Sequence, residues 1–161
     1  MANRLSTPEV AVWRTFLTAQ ARAVARIESD LQQRGLIPLE WYDLLVAVQL
    51  APAHRLRMMD VAERLLLTRS NSTRLVDRLE SAGLIERKRL DGDRRGMAAV
   101  LTPAGRDAIR RAWPVYAQGI TRYFISHLST VERRIVAAAL VKVAEQPGPV
   151  RPPSRRRKPK S

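Results

Sequence analysis

Thr68–Gly105 (TRSNSTRLVDRLESAGLIERKRLDGDRRGMAAVLTPAG) is the stretch whose reading decides the fold. Thr68 has the hydroxyl of a helix N-cap, able to accept from an orphan amide of the first turn. Leu75, Val76, Leu79 and Ala82 recur at helical spacing and make one apolar stripe. At ~100° per residue, Ser70, Thr73, Arg74 and Asp77 fall on the opposite face, with Asn71 and Arg78 along one edge. Gly83 follows as a residue able to take positive φ, so the spacing predicts a helix stopping there. Leu84–Leu90 then reads as a strand, Asp91-Gly92 as the start of a turn, and Gly96–Leu101 as a strand pairing back. Residues 87–95 carry five cations and two acids, a net +3 on a protruding hairpin.

A capped helix, a tight stop and a basic hairpin describe a winged helix-turn-helix. The fold class expected is mainly α with a small β-hairpin wing (α+β). The outward helix face holds short donors and arginine, which suit base edges in a major groove, where Arg pairs with guanine and Asn with adenine. The charged loop suits phosphates and a narrow minor groove. The bland alternatives are a solvated surface helix and a hairpin whose charges prevent edge pairing.

The residues carrying a family likeness are Asp43-Leu44-Leu45 and Asp60-Val61-Ala62-Glu63-Arg64-Leu65. They continue through Thr73-Arg74-Leu75-Val76-Asp77-Arg78-Leu79, Gly83-Leu84-Ile85-Glu86-Arg87, Asp93-Arg94-Arg95 and Leu101-Thr102-Pro103-Ala104-Gly105. In this order they resemble the multiple antibiotic resistance regulator (MarR) family of bacterial transcription factors, densely over 36–105 and by helix order over 8–146. The resemblance implies a recognition helix from Arg69 to Ala82, with Val61 to Leu66 in the supporting helix before it. It implies that Arg95 enters the minor groove, oriented by Asp93 and assisted by Arg94. On the major-groove face the candidate base readers are Ser70, Asn71, Thr73 and Arg74; Arg69, Arg78 and Lys88 are candidate phosphate contacts.

The flanks predict helices too. Ser6 and Glu9 have capping-box spacing, with Pro8 in the first turn. Val10, Trp13, Leu17, Val24, Ile27 and Leu31 follow on steps of three and four, interrupted only by Gln20, over a helix of about 8–34 ending near Gly35. Such a seam packs either within its own subunit or against a second one. Thr102 caps a helix expected to run to about His127 and to kink at Pro114, and Ser129 with Glu132 opens a last helix carrying Val131, Ile135, Ala138, Ala139 and Val143. By resemblance, 1–35 and 104–146 are N- and C-terminal dimerisation helices around a DNA-binding domain at 36–103. A two-fold homodimer then expects an approximately palindromic duplex. Family members often bind small aromatic or phenolic anions between these parts. Trp13, Tyr42 and Trp113 are the candidate effector-pocket residues, with Trp41 beside them and Arg14 or His54 as anion partners. The alternative is that these aromatics are ordinary core, and that the regulator needs no ligand.

Composition agrees. The 161 residues carry a formal +14, suited to a polyanionic partner. Residues 151–161 hold six Lys or Arg and no acid, which leaves +8 on 1–150. Residues 147–161 also hold five of the ten prolines; they read as a disordered basic tail, either solubilising or adding salt-sensitive phosphate affinity. No cysteine occurs, which excludes disulfides, zinc-thiolate sites and thiol-based peroxide sensing. His54 and His127 are isolated, no Gly-rich phosphate loop is present, and Asp91 with Asp93 read as turn residues rather than a nuclease metal pair. No enzyme, metal or cofactor is expected. No apolar run approaches the ~20 residues that span a bilayer and no signal-peptide core opens the chain, so a cytoplasmic protein without membrane association is expected. The competing reading is a sequence-nonspecific architectural DNA binder driven by charge alone.

Overall fold

Ser6 begins the first helix as its spacing with Glu9 predicts. Its hydroxyl accepts the Glu9 amide (3.4 Å) while the Glu9 carboxylate accepts the Ser6 amide (2.7 Å). The computed structural model describes residues 5–90 and 93–145, without the side chains of residues 93–95. Helix α1 spans Thr7–Gln33. Gly35, at φ +62°, closes it in a Schellman turn, with Gly35 N–H donating to Gln32 C=O and Leu36 N–H to Leu31 C=O (both 3.0 Å). Helix α2 (Leu39–Leu50) has Pro38 at its N-cap and no local side-chain cap. Glu28 of α1 takes that place, accepting the Leu39 amide at 2.8 Å. This ties the entry of the second helix to the end of the first.

Helix α2 is the centre of the core. Leu39, Tyr42, Leu44, Leu45, Ala47 and Val48 are buried, and a helix covered on several sides has no single apolar stripe. A short turn at Pro52–His54 leads to strand β1 (Arg55–Arg57), then to α3 (Val61–Arg64) and α4 (Arg69–Ser81). The supporting helix is shorter than expected: Leu65 caps it, and Leu66 lies outside it at φ +54°, in the left-handed region that glycine usually fills in such turns. Strands β2 (Ile85–Leu90) and β3 (Asp93–Leu101) form the hairpin. The sheet order is β1-β3-β2, all antiparallel, with Leu56 opposite Ala99 and Lys88 opposite Ala98. Strand β1 was not expected. Three residues with a single buried side chain, Leu56, carry too little alternation to read. Strand β3 also starts three residues earlier than the sequence suggested, while the expected turn at Asp91-Gly92 lies outside the described residues.

Helix α5 (Pro103–Tyr123) is capped by Thr102, whose Oγ1 accepts the Gly105 amide at 3.0 Å. It continues through Pro114 as one helix but ends at Tyr123, not His127. Phe124 leaves helical geometry at φ −136°, and Ile125–His127 form a separate turn of 3-10 helix. Helices α1 and α5 meet closely: a Cβ on Gly119 would lie 2.7 Å from Ile27 Cγ1, and the Tyr123 hydroxyl donates to Asp30 at 2.9 Å. Ser129 and Glu132 form the second capping box and open α6 (Thr130–Ala144).

Among the described residues, Ile27 and Leu31 are the only buried members of the α1 seam. Val10, Trp13, Leu17 and Val24 stand exposed, and so do Val131, Ile135 and Val143 of α6. Among the described residues α6 buries none at all. No helix among them is long and apolar enough to cross a membrane.

Candidate nucleic-acid interface

Helix α4 has one face sealed and one open. Leu75, Val76 and Leu79 are at most 2% exposed and key into the core with Ile85 and Leu101. Ala82 does not complete the stripe; it is the exposed C-cap, because the Schellman turn at Gly83 (φ +69°) begins there. At the other end Thr68 caps the helix, its Oγ1 accepting the Asn71 amide at 3.3 Å. Ser70, Asn71, Thr73 and Arg74 are all exposed on the open face, together with Arg69, Asp77 and Arg78. Two of these readers have prior engagements: Ser70 Oγ lies 3.3 Å from Thr68 Oγ1, and Thr73 Oγ1 donates to the Arg69 carbonyl (3.0 Å), leaving that hydroxyl free to accept but not to donate. Ser72, placed between them, is buried and donates to the same carbonyl (2.9 Å).

The cations divide into held and unheld. Among the described residues Arg69 and Arg74 have no ion pair. Arg78 is paired across to the first turn of α2, its guanidinium 2.7 Å from Glu40 Oε1, with both side chains about half exposed. Lys88 lies 3.1 Å from Glu86 on its own strand. A groove of about 640 Å³ runs along this edge of α4, lined by Glu40, Leu67, Asn71, Arg74, Leu75, Asp77 and Arg78.

Arg87 was not singled out as a site residue, yet it joins the two parts of the surface. From β2 its guanidinium reaches both Asp77 and Glu80 on α4, and its amide donates to Glu80 Oε1 at 3.2 Å. The hydrogen bond to Asp77, with the nearby charge of Glu80, raises its pKa further and keeps it charged. Carboxylates three residues apart on one helix, with an arginine shortly past the helix stop, are the sequence signal for this brace. The backbone of Asp93, Arg94 and Arg95 lies in β3, with Asp93 opposite Leu90. The side chains of these three candidate minor-groove residues lie outside the described residues.

The candidate effector residues fall into two groups. Tyr42 is buried and meets Tyr116 edge-on at 5.0 Å; Trp113, half exposed, meets the same ring at 6.2 Å. Burial raises the hydroxyl pKa of both tyrosines. Tyr116 was missed by the sequence reading although it links the other two. Trp13 is exposed on α1, its ring beside Phe16 at 6.0 Å. Among the described residues, Trp41 has its indole Nε1 buried without a hydrogen-bond partner. Of the expected anion partners, Arg14 lines a shallow groove on α1 with Thr15, Thr18, Ala19 and Arg22, and His54 Nδ1 donates to the Gln49 carbonyl at 2.6 Å.

Residues 34–96 match the model of the MarR family. AbsC, a MarR family transcriptional regulator from Streptomyces coelicolor, is 30% identical in sequence and superposes with a TM-score of 0.80, over 89% of this chain and 97% of that one. Sco3205, a MarR family transcriptional regulator of the same organism solved in complex with DNA, is 29% identical with a TM-score of 0.83, over 92% of this chain and 94% of that one. The transcriptional repressor MprA of Escherichia coli (strain K12) is 27% identical over 125 residues, covering 78% of this chain and 70% of that protein. With that identity and coverage, the chain belongs to the MarR family of transcriptional regulators.

Proposed function

We propose that the chain is a sequence-specific repressor that binds a palindromic operator in double-stranded DNA as a homodimer. The observation that carries this reading is the open face of α4: polar donors, with Arg69 and Arg74 unpaired among the described residues, stand over a fully buried stripe, on a helix fixed at both ends. Ser70, Asn71, Thr73 and Arg74 read base edges in the major groove. Arg69 and Lys88 hold phosphates, and Arg78 does so when it exchanges Glu40 for the DNA backbone. Arg95, oriented by Asp93 and assisted by Arg94, probes the minor groove. Residues 36–103 form the DNA-binding unit, and the helices of 1–35 and 104–146 form the dimer. The uncovered apolar residues of α1 and α6 support the dimer, since a second copy removes that surface from water. Two readers related by a two-fold axis set half-sites about 10 bp apart. The Tyr42–Tyr116–Trp113 cluster, where α5 meets α2, is the proposed seat for a small aromatic or phenolic effector. Such a ligand releases DNA only by binding better to a dimer whose readers no longer fit that spacing.

Selection from random duplex DNA at physiological salt, with and without residues 147–161, tests the reading. A palindromic motif recovered by both proteins supports it. Recovery of no motif, with binding lost on removal of 147–161, overturns it in favour of a nonspecific binder driven by the charge of that segment.

A further inference from the structure

The chain contains no cysteine and four methionines, so apart from Met1 its sulfur resides in Met58, Met59 and Met97. All three line one pocket of about 450 Å³ at the base of the wing, with Arg57, Arg87, Leu90 and Gly96. They are 38 or more positions apart in one direction and adjacent in the other; the fold brings them together because β1 pairs with β3. The Met58 amide donates to the Met97 carbonyl at 2.9 Å, directly beyond the Arg57–Ala98 register pair. Methionine commonly fills gaps in a core. Met59 fills none, being 69% exposed, while Met58 and Met97 are half-buried against the same opening. Arg87, whose guanidinium braces β2 to α4 through Asp77 and Glu80, is one of the residues that line the pocket.

We propose that this methionine cluster is an oxidation site whose modification loosens the wing from the recognition helix. The oxidant class is a hydroperoxide, with hydrogen peroxide as the simplest member. A thioether sulfur attacks one peroxide oxygen with its lone pair. The S–O bond forms as the O–O bond breaks, and the departing hydroxide takes up the remaining proton as water. Sulfur is oxidised by two electrons and the peroxide reduced by two. The product is a polar, chiral sulfoxide where an apolar chain stood. Its oxygen is a strong acceptor in a pocket that Arg57 and Arg87 both line. An Arg87 drawn to it leaves Asp77 and Glu80, and β2 is then no longer fixed to α4.

The consequence for DNA rests on the function proposed above; the structural consequence does not. The full chain is treated with hydrogen peroxide, and three quantities are read: oxygen gained by the peptides carrying Met58, Met59 and Met97, amide exchange at Arg87 and Met58, and affinity for the selected duplex. The expected result is oxidation at these methionines, faster exchange at both amides, and affinity lower on the order of tenfold, the loss of one well-placed base contact. Methionine sulfoxide reductases restore all three. The Met58→Leu/Met59→Leu/Met97→Leu variant, which conserves volume and is expected to fold, keeps its exchange rates and affinity through the same treatment. Oxidised protein with unchanged exchange and affinity overturns the proposal. So does an equal loss by the triple variant, or a cluster left unoxidised while Met1 is converted. Should the untreated protein select no duplex, the function fails, and the exchange measurement still decides the methionine site.

Discussion

Replacing Gly105 with alanine tests whether the junction between the wing and α5 is as rigid as its geometry implies. Gly105 is buried in the first turn of α5, and an added Cβ would lie 2.1 Å from the Leu84 carbonyl oxygen and 3.3 Å from Leu101 Cδ2. The first contact is with backbone that cannot swing aside as a side chain can. Leu84 follows the Schellman turn of α4, and its carbonyl accepts the Thr102 amide at 3.1 Å; Thr102 Oγ1 in turn donates to the Gly83 carbonyl at 2.7 Å. Pushing Leu84 away therefore disturbs the exit of α4, the start of β2 and the cap of α5 together. Overpacking of this kind costs about 1–3 kcal/mol, and a weakened Thr102–Leu84 bond adds about 0.5–1.5 kcal/mol. The gain in helix propensity from Gly to Ala offsets about 1 kcal/mol at most. The net is a loss of about 2 kcal/mol, or about 4–8 °C in Tm for a chain of this size. Thermal unfolding followed by circular dichroism, at matched protein concentration because the proposed dimer would melt in a concentration-dependent way, measures it. Gly83→Ala serves as contrast. No described residue lies within 4 Å of its Cβ position, so its cost comes from φ +69°. A Gly105→Ala protein that melts at or above the parent temperature refutes the claim that the Leu84 carbonyl is immobile.

Three further outcomes are expected. Arg74→Ala should relax base preference at one operator position and weaken binding by roughly 1–3 kcal/mol; full affinity with full selectivity in a binding titration across operator variants would show that α4 is not the reader. Arg78→Ala removes the guanidinium proposed to exchange Glu40 for the DNA backbone, so the slope of log affinity against log salt should become shallower by ~0.9 for one lost phosphate contact; an unchanged slope would mean Arg78 never reaches the backbone. Hydrogen bonds from Ser6 and Ser129 hold the Glu9 and Glu132 carboxyls below the usual glutamate range. Groups with depressed folded pKa stabilise above their unfolded pKa and lose that contribution as pH falls through the folded value. The caps of α1 and α6 should therefore weaken below about pH 4.3, which helicity measured against pH for the parent and a Glu9→Gln/Glu132→Gln variant tests: the variant should lack that acid-sensitive step.

Much of this protein was legible because its determinants are local. A helix cap needs a hydroxyl and an amide three residues apart, so Ser6, Thr68, Thr102 and Ser129 could be read directly, and all four cap their helices. The stops at Gly35 and Gly83 were equally visible, since only the residue itself must tolerate positive φ. The stripe of Leu75, Val76 and Leu79 followed from helical period, and with it the polar face opposite. What the sequence alone determined, then, is the order of elements and which face of α4 is open.

Tertiary structure decided everything that depends on residues far apart in the chain. Glu40 meets Arg78 across 38 positions, Glu28 caps α2 from 11 positions away, and Arg87 reaches back across the helix stop to Asp77 and Glu80. None of these leaves a periodic trace, because each partner obeys the spacing of its own element. Strand β1 exists because β3 offers it an edge, not because Arg55-Leu56-Arg57 favours extension. Likewise Tyr116 links Tyr42 to Trp113 only once α5 has packed on α2. Local geometry is set by bonds and dihedrals within a few residues; the brace, the groove and the methionine pocket come from packing, where sequence distance no longer measures separation.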